Sequence, residues 1–518
     1  MSEKKRSIDE LLLAEAQKSI DSKIATLLLL MIALIPLLVR VAFIEFSSPL
    51  ITGSSLDSGL KTDIFTYYKF TLMFIFIFIL LAFLLYKMLG KGYEIPESYI
   101  NKPVVVLLAF ILCSALFAQY KTIALFGQYN RHDGTLTYIG YITLFFIAAN
   151  TLFSKEKIKW IFYALYPLTL INALMGILHF YGYELIKNSF IRAIVFPSSI
   201  PESSISAGSY ISSTFNNPNY VSGISSVLVA LFLTKATLDE DKKEKGMNLF
   251  FACISFAMLL TALSTSGFLT LVIILPLIFV ASIFAANRKQ AIITVTGAVI
   301  VFGAILATLN LHNPRVYEES VGFFLRNSAS AEYQETGTYS AIENILSLPV
   351  AFAEEPAKEF SEFNLPAIGT GAGTGRLYEW TKTIELIKQQ PILGYGLDTL
   401  AYYFPQNDPD KAANLNDPNV IVDKPHNMYL GIAYGAGVFA LAAFLVLVFR
   451  HVWEHIKWFK KARNNGRYAL VVSLLLAWCA YLIQAVFNDS IIGTAVIFWI
   501  LFGINVSVVR EDMRAIEQ

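Results

Sequence analysis

Charge is scarce in this chain, and so is cysteine. Only 15% of its 518 residues are Asp, Glu, Lys or Arg, against roughly 25% in an ordinary soluble domain, which excludes a water-facing enzyme of usual composition. Neither sign of charge prevails, with 40 Lys and Arg against 39 Asp and Glu, so the balance points to no nucleic-acid partner. The three cysteines, Cys113, Cys253 and Cys479, all fall within apolar runs, leaving no disulfide framework and no thiolate metal site. No HExxH, paired-cysteine or Asp-rich segment offers other metal ligands, so neither a metal nor a cofactor is expected. The first 22 residues mix charges with apolar side chains and lack a short apolar core followed by small residues; a signal peptide is not expected.

What the chain has is apolar length. Hydrophobic residues make up 55%, including 40 Phe, 26 Tyr and 6 Trp, and the mean hydropathy is +0.56. Separate runs of about 20 apolar residues read as membrane spans. The fold class expected is an all-α polytopic membrane protein of about twelve transmembrane helices, with one long external loop that contains an amphipathic helix. Residues 1–22 read as a cytoplasmic amphipathic segment, 23–311 as helices one to nine, 312–425 as a large extracytoplasmic loop, 426–509 as helices ten to twelve, and 510–518 as a cytoplasmic tail. Orientation comes from Lys and Arg, which gather in alternate loops such as Lys155, Lys157 and Lys159, or Lys457, Lys460 and Lys461; these loops are expected in the cytoplasm with both termini. Within the spans only Arg40 reads as deep enough to matter, and snorkelling from the end of the first span accounts for it.

The long loop is where chemistry is expected, because loops beyond about 15 residues are functional or disordered. After Gly369, Gly371, Gly373 and Gly375, the residues Leu377, Trp380, Ile384 and Ile387 recur at helical spacing until Pro391, predicting an amphipathic helix of about four turns. Arg376 falls at its start, where free N–H groups already favour anions; an anion site and a surface arginine on a linker both fit. His426 and Asn427 stand where the loop re-enters the membrane. An imidazole there suits a general base, or an interfacial histidine bonded to lipid headgroups. Arg131, His132 and Asp133 form a charged cluster in a short outer loop, and Asn216, Asn217 and Asn219 open the sixth span on the same face.

Taken together, Arg376 to Trp380 running into QQPILGYG, then PHNMYLGIAYGAGVFAL, and the Asn-Pro-Asn at 217–219, resemble the O-antigen ligase and O-antigen polymerase superfamily of bacterial envelope glycosyltransferases. The resemblance rests on Pro391, Gly394 and Gly396, and on His426, Asn427 and Leu430, and covers residues 205–450. It implies transfer of a glycan from an undecaprenyl diphosphate carrier to a glycan, lipid or protein acceptor hydroxyl, at the outer face of the bacterial cytoplasmic (inner) membrane. It further implies inversion at the anomeric carbon, catalysis by Arg376 and His426, and substrate binding by Arg131, Asn427, Asn217, Asn219, Lys424 and Trp380. One departure stands out: the family often has Ser-Arg-x-Gly where this chain has Ser264, Thr265, Ser266 and Gly267. Arg131 or Lys424 is the expected replacement for that missing cation. The rival class is a polysaccharide or lipid-linked sugar transporter without covalent chemistry, for which pseudo-symmetric halves are expected and no internal repeat is visible.

Overall fold

The structure, a computed structural model, describes residues 2–198, 200, 211–330, 367–369, 375–415, 417, 419–461 and 466–517. In chain order it contains α1 (Ser2–Leu34), the antiparallel hairpin β1 (Ala42–Phe46) and β2 (Gly59–Asp63), α2 (Tyr67–Leu85), α3 (Asn101–Phe117), α4 (Lys121–Phe126) and α5 (Thr135–Ala149). Then come α6 (Lys155–Phe180), α7 (Ser189–Val195), α8 (Pro218–Leu238), α9 (Lys242–Thr261), α10 (Thr265–Ile283), α11 (Arg288–His312), α12 (Arg315–Glu318) and α13 (Val321–Ser330). The rest is α14 (Arg376–Gln389), α15 (Asp410–Asn414), α16 (Met428–Ala436), α17 (Val438–Lys461), α18 (Tyr468–Gln484) and α19 (Ile492–Glu517).

Among the described residues, eight helices are long and apolar enough to cross a membrane, and α3, α5 and α18 are apolar but shorter. The chain is a multi-pass membrane protein. Each of the twelve apolar runs overlaps a helix, although α9 opens on the charged residues Lys242 to Lys245. The first run differs from expectation, because α1 is continuous from Ser2 and its lower half is not a separate segment. Asp21 on that helix is buried and receives a 2.7 Å hydrogen bond from Lys87 Nζ, which also donates to the Asn150 carbonyl at 3.2 Å. Charge is therefore inside the bundle after all, compensated as buried ions must be.

Small residues let the central helices close up. Every residue of α8 from Val221 to Leu233 is buried, and Gly267 of α10 lies so near Ser222 that a Cβ there would overlap its carbonyl; such approaches are how helices pack in lipid without a hydrophobic drive between them. α19 is buried along its apolar length and packs on α5, where Gly503 meets the Phe145 carbonyl. Peripheral helices present Phe78 and Ile300 outward.

The tenth run is broken. Gly437, at φ +87°, separates α16 from α17, and the turn after α14 docks into the break. Val438 N donates to the Pro391 carbonyl at 2.8 Å, Tyr395 N to Tyr434 O at 2.9 Å, and Gly396 N to Gly435 O at 3.0 Å. Gly394 and Gly437 carry left-handed φ angles, and a Cβ on either would collide with the opposing backbone, so glycine is required on both sides. This is the physical content of the Pro-x-x-Gly-x-Gly turn. α14 forms where the spacing predicts, but its buried face is Tyr378, Thr383, Leu386 and Ile387, while Leu377 and Ile384 are exposed. Tyr378 packs edge-on against Phe404, so Leu377 and Ile384 are turned away from the protein. Gly371, Gly373 and residues 331–366 of the long loop lie outside the described residues.

Candidate functional site

One end of the bundle gathers the hairpin, α14 and the turns at 127–134, 213–217 and 485–491; the opposite end carries the lysine-rich loops. At the first end Asn427 caps α16, its side-chain oxygen accepting from Tyr429 N at 3.0 Å and Leu430 N at 3.1 Å. That cap anchors the residue before it. His426 is held at φ +48°, uncommon for a residue bearing a Cβ. Its Nδ1 lies 2.8 Å from Asp489 Oδ2, in the turn between α18 and α19. Burial by itself would raise the Asp489 pKa, but His426, Lys424 and Arg131 outweigh it and hold the carboxyl at about 2. An ionised carboxylate only accepts, so in the neutral imidazole Nδ1 carries the proton and Nε2 keeps its lone pair. Burial would lower the imidazole pKa; Asp489 reverses this and raises it above the usual value.

α14 is tied to the same place. Trp380 Nε1 donates to the Pro425 carbonyl at 2.8 Å, one residue from His426. Arg376 and His426 share two charged neighbours, Glu379 and Asp489, so the arginine and histidine stand on one rim. Arg376 is half-buried at the first position of α14, after Gly375 at φ +80°, and makes no ion pair among the described residues. Glu379, three residues on, is buried with Oε2 unpartnered, and burial pushes its carboxyl up to about 7.

His426 forms part of the wall of a cavity of about 160 Å³, together with Thr66, Lys69, Arg131, Asn217, Tyr220 and Gly493. Arg131 reaches it already engaged: Nη2 lies 2.9 Å from Asp398 Oδ1, and Nη1 bonds Asp423. Lys424 is paired with Asp133 and lies 4.0 Å from Asp398. Burial raises Asp133 to about 7 in spite of that lysine. These five groups, two cations and three carboxyls, lock the turn at 131–133 to the segment 398–424. Neither Arg131 nor Lys424 is therefore a spare cation of the kind the Thr265 departure calls for; Thr265 itself donates to Glu319 Oε2 at 2.6 Å.

The asparagines have structural work that their sequence setting leaves open. Asn217 caps α8 by accepting from Asn219 N at 2.8 Å, while Asn219 Oδ1 accepts from Ser264 Oγ at 2.6 Å and joins α8 to the start of α10. Asn217 also lines the cavity. The structure thus brings Arg376, Trp380, Lys424, His426, Asn427, Arg131, Asn217 and Asn219 to one end of the molecule.

Sequence reasoning missed Asp489, Glu379 and Lys69. Asp489 was findable as the single ionisable residue between the last two apolar runs. Lys69 sits three residues inside the second span and is buried, whereas Arg40, expected as the deep charge, is exposed, with Nη1 3.4 Å from the Ile194 carbonyl. The helix has ended before residue 40, and this is why its arginine reaches the surface.

With this geometry in place the comparisons are informative. Residues 250–445 match the family model described as O-antigen ligase. That stretch includes Arg376, Trp380, Lys424, His426 and Asn427 and stops short of Asp489. None of the curated proteins matches the chain.

Proposed function

We propose that the chain, whose residues 250–445 match the family model described as O-antigen ligase, is a membrane glycosyltransferase that moves a glycan from an undecaprenyl diphosphate carrier to an acceptor hydroxyl. The observation that carries the reading is His426, which lines the cavity with its Nδ1 2.8 Å from Asp489 Oδ2, and which shares the neighbours Glu379 and Asp489 with Arg376. His426 Nε2 takes the proton of the acceptor hydroxyl as its oxygen bonds the anomeric carbon. The carbon–oxygen bond to the carrier breaks at the same time, its electron pair leaving on the diphosphate. Asp489 keeps the imidazole in the useful tautomer and stabilises the imidazolium that forms. Arg376 faces the developing negative charge, and the free N–H groups at the start of α14 add to it. Attack opposite the leaving group inverts the anomeric centre.

The lysine-rich end is assigned to the cytoplasm by the positive-inside rule, which puts the cavity at the outer face of a bacterial inner membrane and both termini inside. Arg131 and Lys424 act as positioning residues, fixing the segment that leads to His426. Fixed cations supply the charge stabilisation, so transfer needs no metal and persists in chelator. The test is transfer of a lipid-linked glycan by the purified full-length chain. His426→Ala and Arg376→Ala each lower the rate about 10²- to 10³-fold with the fold intact; unchanged transfer in either variant removes that residue from the mechanism. Translocation of the donor without glycan transfer would point to a transporter instead.

A further inference from the structure

Lys69 has an unusual position. It lies in the first turn of α2, is only 2% exposed, and lines the cavity beside His426. Its Nζ donates to the Thr214 carbonyl at 2.5 Å and stands 5.6 Å from the centre of the Phe215 ring. An ammonium has three hydrogens, and one backbone carbonyl uses one of them. No carboxylate pairs with it among the described residues. The acid facing it from its own end of α2, Asp63, is spent on that helix's N-terminus, accepting from Phe65 N at 3.2 Å, Thr66 N at 2.8 Å and Tyr67 N at 2.5 Å. From the α19 side, Gly493 makes room: a Cβ there would stand 3.5 Å from Nζ and 3.1 Å from the Phe215 ring.

Two other cations at this end differ. Arg131 and Lys424 are matched by Asp398, Asp423 and Asp133. A buried cation with spare donors and no counter-ion is costly unless a ligand completes it, and this one opens on a cavity that also presents Asn216, Asn217 and Tyr220.

We propose that Lys69 binds the diphosphate of the lipid carrier inside this cavity. The proposal rests on the glycosyltransferase reading for the identity of its ligand, but not on any catalytic role of His426. Lys69 donates to phosphate oxygens of the leaving group from the cavity wall. The asparagine side chains lining the cavity complete the contacts to its oxygens.

The test measures binding without acceptor, so it does not depend on turnover. The full-length chain in nanodiscs is titrated with undecaprenyl diphosphate, with inorganic pyrophosphate, and with phosphatidylglycerol as a monophosphate control. In Lys69→Met, binding of undecaprenyl diphosphate falls about tenfold or more, the melting temperature is unchanged or higher because a lone buried charge has gone, and Lys69→Arg restores most of the affinity. Gly493→Ala, whose Cβ presses on the Phe215 ring beside Nζ, weakens binding in the same direction. Wild-type affinity in Lys69→Met overturns the proposal. So does a loss of affinity that follows a fall in melting temperature and is not rescued by arginine, since that is a structural lysine. Equal competition by phosphatidylglycerol overturns the assignment to a diphosphate. Failure of the transfer assay with the binding results intact would count against the proposed reaction alone.

Discussion

His426 Nδ1 and Asp489 Oδ2 lie 2.8 Å apart, joining the re-entry point of the long loop to the turn between the last two helices. Sixty-three positions separate them in the chain, so neither residue announces the other in sequence.

Asp489→Asn is expected to lower transfer about 10²- to 10⁴-fold, since the amide can hold the wrong imidazole tautomer. The pH profile carries the sign. Asp489 raises the imidazole pKa, and the base works only when deprotonated, so activity rises with pH through that pKa. Removing the carboxylate lets the pKa fall, and the acidic limb of the residual activity moves to lower pH. A limb that stays in place would separate Asp489 from the base.

Glu379 gives a second pH effect. Its carboxyl, raised by burial to about 7, ionises near neutrality and then raises the imidazole pKa further. Glu379→Gln removes that influence, so the acidic limb shifts to lower pH with a smaller loss of rate than in Asp489→Asn. Rate measurements between pH 5 and 9 decide this.

Trp380→Phe deletes the indole N–H bonded to the Pro425 carbonyl. The stability cost is about 1 kcal/mol, but α14 is freed from His426, so kcat is expected to fall while the KM for donor changes little. Steady-state kinetics beside thermal unfolding checks both halves.

Arg131→Ala strands Asp398, whose side chain is fully buried, and costs about 3–5 kcal/mol. Arg131→Ala combined with Asp398→Ala recovers part of that loss. A variant that melts like the wild type but binds donor poorly would make Arg131 a direct ligand instead.

At the far end, Asp21→Asn and Lys87→Met each break a buried ion pair and each is expected to cost about 3–5 kcal/mol, whereas the double variant loses much less. Thermal unfolding in detergent reads the coupling.

Much of this molecule could be read from the chain alone, for identifiable reasons. The apolar runs, the helix from Arg376 and the glycine turn after it depend on local composition, and local composition is what a sequence displays. The site was legible as far as its motifs reached: Arg376, Trp380, His426 and Asn427 stand together as the resemblance implies. What escaped depends on contacts between distant segments. Asp489 looks like a turn residue until α18 and α19 carry it against His426. Lys69 looks like a charge at a span's edge until Thr214, Phe215 and Gly493 enclose it. Arg131 looks like a free cation until Asp398 and Asp423, far along the chain, neutralise it, and Lys424 until Asp133 does. The side of α14 that packs on the protein escaped because hydropathy marks Leu and Ile, while Tyr378 buries itself by bonding Asp408 through its hydroxyl at 2.9 Å.

The joint between the turn at 391–396 and the split between α16 and α17 is made of peptide groups and missing β-carbons. An attachment of that kind is blind to the side chains on either partner. Substitutions around the joint that spare its glycines are then expected to leave it closed, and the helix that begins at Arg376 keeps its aim.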